Sequence, residues 1–327
     1  MNSTANGSSG SWSCLNFASL KIGGTVAFCL IIIASLVANS LIVITVCKTP
    51  NLKKPINYFI ANMASSDLLF IPLFLIPWSL SDLHTNHSFL IGGQLGQALC
   101  KLLSFFANVS IAVSIQNLIL IAVDRFGAVV FPLRSPLIRS KLCPFFILAT
   151  WIFAIVFNLP DLLTFELVEH PEGTWCVRRW KRVFGESSSF ASFLRAYNIV
   201  FTYIPVLLLV ILYSIIFIKL KTQAHPGEQS TNNQQQRKRR NRNVLQMSIV
   251  IVKVFVLCWL PFITNILIII VYKGSVTYFF CSFWIYFHLT YFTAHAYCAI
   301  NPIICFIFSS NYRQGAKRLI KCSFVRA

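Results

Sequence analysis

Charge is what this sequence has least of. Only 11% of its 327 residues are charged, against about 25% in soluble domains. Nine are acidic, while 56% of the chain is hydrophobic. So little polar surface cannot cover the chain in water, and much of its exterior must face lipid. The sequence lacks any repeat of about 20 to 50 residues, which excludes solenoids. It lacks the alternating segments of about ten residues that build a membrane barrel. It lacks a His-Glu-x-x-His motif, and His84, His87, His170 and His225 fall between apolar runs, so a membrane enzyme is unsupported. A cleavable signal peptide is also missing. Residues 1–20 are polar, and the first apolar run is long enough to act as its own insertion signal.

What the chain does have is long apolar runs. A spanning helix needs about 20 such residues, because hydrocarbon about 30 Å thick is crossed at about 1.5 Å per residue. Seven runs qualify, at approximately 22–47, 57–80, 98–123, 143–162, 193–218, 244–272 and 277–308. Only helices and closed barrels satisfy their own backbones in lipid. The expected fold is therefore an all-α seven-transmembrane helix bundle over residues 22–308. An outer tail, 1–21, precedes it, and an inner amphipathic helix with a short tail, 309–327, follows.

The formal net charge is +19, which invites a nucleic-acid reading, but its distribution points elsewhere. Lys48, Lys53 and Lys54 follow helix one, and Arg125, Arg134, Arg139 and Lys141 follow helix three. Lys219, Lys221, Arg237, Lys238, Arg239, Arg240 and Arg242 lie between helices five and six, and Arg313, Lys317, Arg318, Lys321 and Arg326 end the chain. With seven spans these groups share one face, which is cytoplasmic by the positive-inside rule, so the N-terminus is outside. Anionic lipid and an acidic or nucleotide-linked inner partner account for the excess better than DNA. Asp82, Asp161, Glu166, Glu169, Glu172 and Glu186 fall instead in outer segments. The inner loop from about 222 to 243, rich in Gln, Asn and Arg, is expected to be disordered.

Of eleven cysteines, Cys14, Cys100, Cys176 and Cys281 lie on the oxidising side and allow two disulfides in three pairings. Cys100 with Cys176 would tie the top of helix three to the second outer loop. Cys14 with Cys281 would then tie the tail to the start of helix seven. Asn2, Asn6 and Asn86 head N-x-Ser/Thr sequons in outer segments, whereas the Asn108 sequon lies inside helix three, out of reach of glycosylation.

Polar groups inside a bilayer mark function. Asp67 in helix two is the clearest, with Asn39, Ser114 and Asn301 at comparable depth. Together they suit a hydrated cation, most simply Na⁺, or a shared proton; a bare helix-gluing network is the alternative. No other cofactor is indicated. Prolines 72, 77, 160, 205, 261 and 302 fall within spans and permit kinks.

The motifs, taken in order, resemble the rhodopsin-like (class A) G-protein-coupled receptors. Helix one carries Ala38-Asn39-Ser40, and helix two carries the run from Asn57 to Leu69 around Asp67. Helix three begins at Cys100 and ends Asp124-Arg125-Phe126, followed by Phe131-Pro132-Leu133. Helix four has Trp151 and helix five has Pro205 and Tyr213. Helix six has Phe255 to Pro261, including Cys258-Trp259-Leu260, and helix seven ends Asn301-Pro302-Ile303-Ile304-Cys305. The resemblance covers the whole chain. It implies that Arg125, held by Asp124, contacts a heterotrimeric G protein, with Phe126 and Tyr213 alongside, and that arrestin is a further partner. It implies that Trp259 is a toggle beneath the ligand pocket. Pro205, Ile115 and Phe255 would then be a trio that repacks on activation, with Pro261, Asn301 and Pro302 as hinges.

Two departures matter. Cys305 stands where the family has a Tyr, and Asn241 stands near the position where some members place an acid facing Arg125. The first removes a hydroxyl that bridges helices in the active state; the second removes an inactive-state lock, and some ligand-independent activity is expected. Past helix seven, Phe308, Tyr312, Ala316, Leu319 and Ile320 form one face of a helix whose other face carries Arg313, Lys317, Arg318 and Lys321, and Cys322 is a palmitoylation candidate.

The resemblance also narrows the ligand. Ala107 occupies the place of the amine receptors' Asp, and helix seven has no Lys for retinal, His295 standing there instead. The long segment around Thr174-Trp175-Cys176-Val177-Arg178-Arg179-Trp180 reads as a hairpin. The acids Asp161, Glu166, Glu169 and Glu172 before it read as a rim attracting a cationic peptide, the alternative being solvated loop charge or internal neutralisation by the basic cluster from Arg178 to Arg182. The chain is similar to neuropeptide receptors of the tachykinin, neuropeptide Y, galanin and Arg-Phe-amide group. Trp78, Asn108, Phe262, Phe287, His288, Tyr291, Phe292 and His295 are candidate pocket residues. A class A receptor for a small molecule or lipid is the alternative. A transporter is the third reading, disfavoured by an odd helix number and a lone interior acid.

Overall fold

The structure, a computed structural model, describes residues 18–70, 89, 91–132, 136–171, 173–222, 232–271 and 281–324. Trp78, the sequons at Asn2, Asn6 and Asn86, Pro72, Pro77, and the pairing of Cys14 with Cys281 lie outside the described residues, as do the side chains of Asn241 and Cys322.

Helices dominate. They are α1 (Ala18–Lys48), α2 (Pro55–Phe70), α3 (Gly93–Val130) and α4 (Cys143–Thr164), then α5 (Phe190–Thr222), α6 (Asn232–Val271), α7 (Cys281–Phe308) and α8 (Ser310–Phe324). Between α4 and α5 lie the strands β1 (Phe165–His170) and β2 (Gly173–Arg178) and a short helical turn, Trp180–Phe184. All of α1 and α3 to α7 are long and apolar enough to cross a membrane, and α2 is described over 16 residues. α5 contains a π-helical stretch, Ile199–Tyr203, just before Pro205.

α3 is the axial helix. Of its most apolar window 61% is buried, against 22% in α4 and in α6, which turn most of their surface to lipid. The main core runs from the middle to the inner half: Ile42 and Val46 of α1, Phe59 and Met63 of α2, Leu118 and Ile121 of α3, Ile251 and Phe255 of α6. Amides staple helices where lipid offers no hydrophobic force between them. The Trp151 indole donates to Asn62 Oδ1 at 2.9 Å, and Asn62 Nδ2 donates to Asn117 Oδ1 at 3.1 Å, joining α4, α2 and α3.

Several boundaries differ from the sequence reading. α3 starts at Gly93 and α5 at Phe190, a turn earlier than apolarity alone indicates. The expectation of disorder over 222–243 is corrected for 232–243, which is the first part of α6. Gln and Arg are good helix formers, and extending an existing helix costs far less than nucleating one. α8 follows α7 after the single residue Ser309. It is pinned by Tyr312, fully buried, whose hydroxyl donates to Asn57 Oδ1 at 3.0 Å. Burial pushes that hydroxyl well above its usual pKa range, so it remains a donor. Gly315 allows the close approach to α1, since a Cβ there would stand 2.5 Å from Thr45 Cγ2.

Candidate functional site

The functional residues form three tiers along the bundle. At the outer end the hairpin pairs β1 with β2 from Phe165 opposite Arg178 to His170 opposite Gly173. It is tied down four ways. Cys176 is disulfide-bonded to Cys100 of α3, with a Cα–Cα distance of 5.5 Å. Gln97 of α3 accepts from the Leu167 N–H at 2.8 Å and donates to the Phe165 carbonyl at 3.5 Å. Arg178 donates to Asp161 of α4 at 2.7 Å, and Asn108 of α3 donates to the other carboxylate oxygen at 2.6 Å. The Arg178 guanidinium also lies 4.5 Å from the centre of the Phe165 ring and 4.2 Å from that of Phe190. Burial lowers its pKa from the usual range, opposed by Asp161 and Tyr197.

This geometry corrects the expected acidic rim. Asp161 is buried under the hairpin and spent on Arg178 and Asn108. Glu166 is bridged by Arg182 at 2.6 Å, Glu186 by Lys181 at 3.0 Å, and Glu169 accepts from the Gly93 N–H at 3.4 Å. Arg178, Arg182 and Lys181 thus offset Asp161, Glu166 and Glu186, while Glu169 meets a backbone N–H. Glu172 lies outside the described residues.

The middle tier is aromatic. Phe262 of α6 stands 5.7 Å from Phe287 and 5.5 Å from Tyr291 of α7, ring centre to ring centre. His295 lies 4.1 Å from Tyr291 and 6.1 Å from Trp259, with its Nδ1 2.6 Å from the Tyr291 carbonyl oxygen. His288 sits at the edge, 5.8 Å from Phe287. Two further candidates have contacts outside this group. Phe292 turns to α1, 5.2 Å from Phe28, and Asn108 is committed to Asp161. Sequence reasoning missed Asn265, which donates to Thr290 at 2.9 Å and joins α6 to α7 in the buried interior. Its only prior signal was an amide in an apolar run.

Below Trp259 is a small cavity of about 20 Å³, lined by Asp67, Ser110, Ser114, Phe255, Tyr297 and Cys298 among others. That is room for about one water-sized occupant. Ser114 donates to Asp67 Oδ1 at 3.5 Å, while Asp67 Oδ2 is buried without a hydrogen-bond partner. Asn39 and Asn301 also carry orphan buried oxygens, but neither is among the described residues that line the cavity. Asn39 instead donates to Ser35 and to the Cys298 carbonyl at 2.9 Å. The donor set of one carboxylate and hydroxyls fits a hard monovalent cation.

At the inner tier Arg125 pairs with the adjacent Asp124, its Nε donating to Oδ2 at 3.1 Å. Phe126 packs edge-on to Phe131 at 5.9 Å. Arg125 faces a cavity of about 150 Å³ lined also by Asn57, Val129, Leu245, Met247 and Ser309. Ile115 and Phe255 are buried in the main core, Pro205 is buried on α5, and Phe255 lies 6.3 Å from Trp259. The Tyr213 hydroxyl is buried beside Ser248 of α6. Pro261 and Pro302 lie inside α6 and α7.

Residues 38–305 match the 7 transmembrane receptor (rhodopsin family). The chain is 29% identical over 297 residues to the RYamide receptor of Drosophila melanogaster, covering 89% of this chain and 61% of that receptor. It is 27% identical over 316 residues to galanin receptor 2b of Danio rerio, covering 94% of this chain and 77% of the relative. It is 25% identical over 309 residues to the neuromedin-K receptor of Homo sapiens, covering 92% and 62%.

Proposed function

The chain belongs to the rhodopsin family of seven-transmembrane receptors, and from that premise we propose that it binds an extracellular neuropeptide and activates a heterotrimeric G protein. It would do so from the plasma membrane, N-terminus outside. The observation that carries this reading is that receptors named for three different peptides align along 89%, 94% and 92% of this chain. The geometry supports it. A hairpin strapped to α3 and α4 is a fixed wall against which a ligand entering from water can bind. The aromatic tier of Phe262, Tyr291 and His295 contacts Trp259, which contacts Phe255 of the core. A ligand pressing on the upper rings thereby biases a packed, two-state interior. Arg125, beside the inner cavity, is the group that meets the G protein, and arrestin competes for the same face.

Na⁺ is the proposed occupant beside Asp67. Asp67 Oδ2 and the Ser114 hydroxyl would hold it, and the ion would compensate a carboxylate buried without a basic partner. Replacing Na⁺ by choline is expected to lower the thermal midpoint of the purified wild type, by loss of ligand stabilisation, and to leave Asp67→Asn unmoved.

The reading is tested by measuring second messengers in cells expressing the chain and challenged with neuropeptides, amines and lipids. A peptide response abolished by Arg125→Ala supports it. A response confined to an amine or a lipid overturns the peptide assignment within the same family.

A further inference from the structure

The membrane-crossing part of α6, Arg242–Ile269, carries one charged residue beyond Arg242, and that residue is Lys253. Ser248, Ile251, Phe255 and Trp259 are buried and mark the face of α6 turned to the bundle. Arg242, Gln246, Lys253 and Leu257 are exposed. Successive steps of four, seven and four residues keep them on one stripe of a helix with about 3.6 residues per turn, roughly opposite the buried face. Leu257 is 73% exposed, so this stripe is the one turned to lipid. Lys253 therefore faces out of the protein.

It also lies deep. The 28 residues of the span rise about 42 Å, about 12 Å more than the hydrocarbon requires. With the hydrocarbon centred on the span, Lys253 sits about 10 Å inside its inner boundary. A charge at such a position is costly and marks function by default. The acids carried by the helices, Asp67, Asp124 and Asp161, are buried inside the bundle, the last two paired with Arg125 and Arg178. Glu228, in the inner loop, lies outside the described residues. Helical Cα–Cβ bonds tilt toward the N-terminus, which in α6 is the inner end, and a lysine stem bends its ammonium toward the nearer polar surface. The backbone thus directs Lys253 down the stripe toward Gln246, about 10 Å nearer the inner face, and then Arg242.

We propose that this stripe binds an anionic phospholipid of the inner leaflet. Its phosphate would meet the Lys253 ammonium and the Gln246 amide, its headgroup would lie beside Arg242, and an acyl chain would run along Leu257. The inner leaflet is the one that carries anionic lipid, so charge complementarity selects this occupant. An acid on the helix of another membrane protein would meet Lys253 alone and leave the polar residues below it unused. The opposite face of the same turns, Val244, Leu245 and Met247, lines the cavity beside Arg125. A lipid on the outer face would therefore hold the segment that borders that cavity, whatever ligand binds at the other end of the bundle.

The test is native mass spectrometry of the purified full-length receptor titrated with dioleoyl-phosphatidylserine or dioleoyl-phosphatidylcholine. Lys253→Gln should weaken the first bound phosphatidylserine by about fivefold and leave phosphatidylcholine unchanged. Lys253→Arg, which keeps the charge, should stay within about twofold of wild type, as should the double variant Lys219→Gln with Lys221→Gln at the exposed inner end of α5. Soluble glycerophosphoserine should not displace the bound lipid. No loss in Lys253→Gln, an equal loss for both lipids, or a loss matched by the α5 double variant overturns the site. Displacement by glycerophosphoserine overturns a lipid in favour of a free anion.

Discussion

At the outer end of the bundle, the described hairpin is tied to three helices. A disulfide, a buried ion pair, two stacked rings and a glutamine clamp hold the hairpin to α3, α4 and α5. At the inner end the ties are uneven. α8 is pinned to α1 and α2 through Tyr312 and Gly315. By contrast, among the described residues Arg125 pairs with its sequence neighbour, and none of the described side chains of α6 forms an ion pair. The difference teaches where motion is permitted. On the proposed reading, the strapped hairpin is a fixed wall of the ligand's entrance, and the inner ends of α5 and α6, held by apolar packing rather than by described ion pairs, are where a G protein would enter. On that reading, coupling between the ends would pass through the ring contacts from Phe262 through Trp259 to Phe255.

Breaking the outer frame should cost most. Asp161→Ala strands the buried Arg178 charge and should destabilise the purified receptor by about 3–5 kcal/mol, read as a lowered thermal midpoint. Asp161→Ala combined with Arg178→Met should recover much of that loss. A double variant as unstable as the single one would show that the pair is not what holds the hairpin. Removing the Cys100–Cys176 bridge by replacing both with Ala should cost about 2–5 kcal/mol and reduce surface expression and peptide potency together. The inner latch is smaller. Tyr312→Phe, which leaves Asn57 Oδ1 without its donor, should cost about 1 kcal/mol while peptide affinity stays within twofold. The smallest effect sharpens the contrast. Asn241→Glu supplies an acid where some family members place one facing Arg125; a surface pair of this kind is worth at most about 1 kcal/mol, and basal signalling should fall at matched surface levels. Unchanged basal output would mean that the inner end is held shut by other contacts.

The helices were legible because lipid forces each span to be a continuous apolar run, and the Asp-Arg-Phe and Asn-Pro motifs mark their inner ends. The hairpin was legible from alternation around Cys176. The fate of its acids was not, because charge counting along the sequence cannot tell that Asp161 points beneath the strands at Arg178 or that Glu166 meets Arg182. The helical start of α6 was misread for a related reason, since polarity signals disorder only where no apolar helix continues the segment. Asn265 and Thr290 went unnoticed because two polar residues 25 apart declare nothing until α6 and α7 pack. Phe292 shows the limit for aromatics: its helix face, turned to Phe28, decides its role, and spacing within an aromatic-rich run does not.

The most direct test is nucleotide exchange on a purified heterotrimeric G protein by the receptor in lipid nanodiscs, with and without an activating peptide. The account predicts a saturable, peptide-dependent rise in exchange that Arg125→Ala abolishes while leaving peptide binding intact. Saturable peptide binding with no change in exchange, or exchange that survives Arg125→Ala at the wild-type rate, would contradict it.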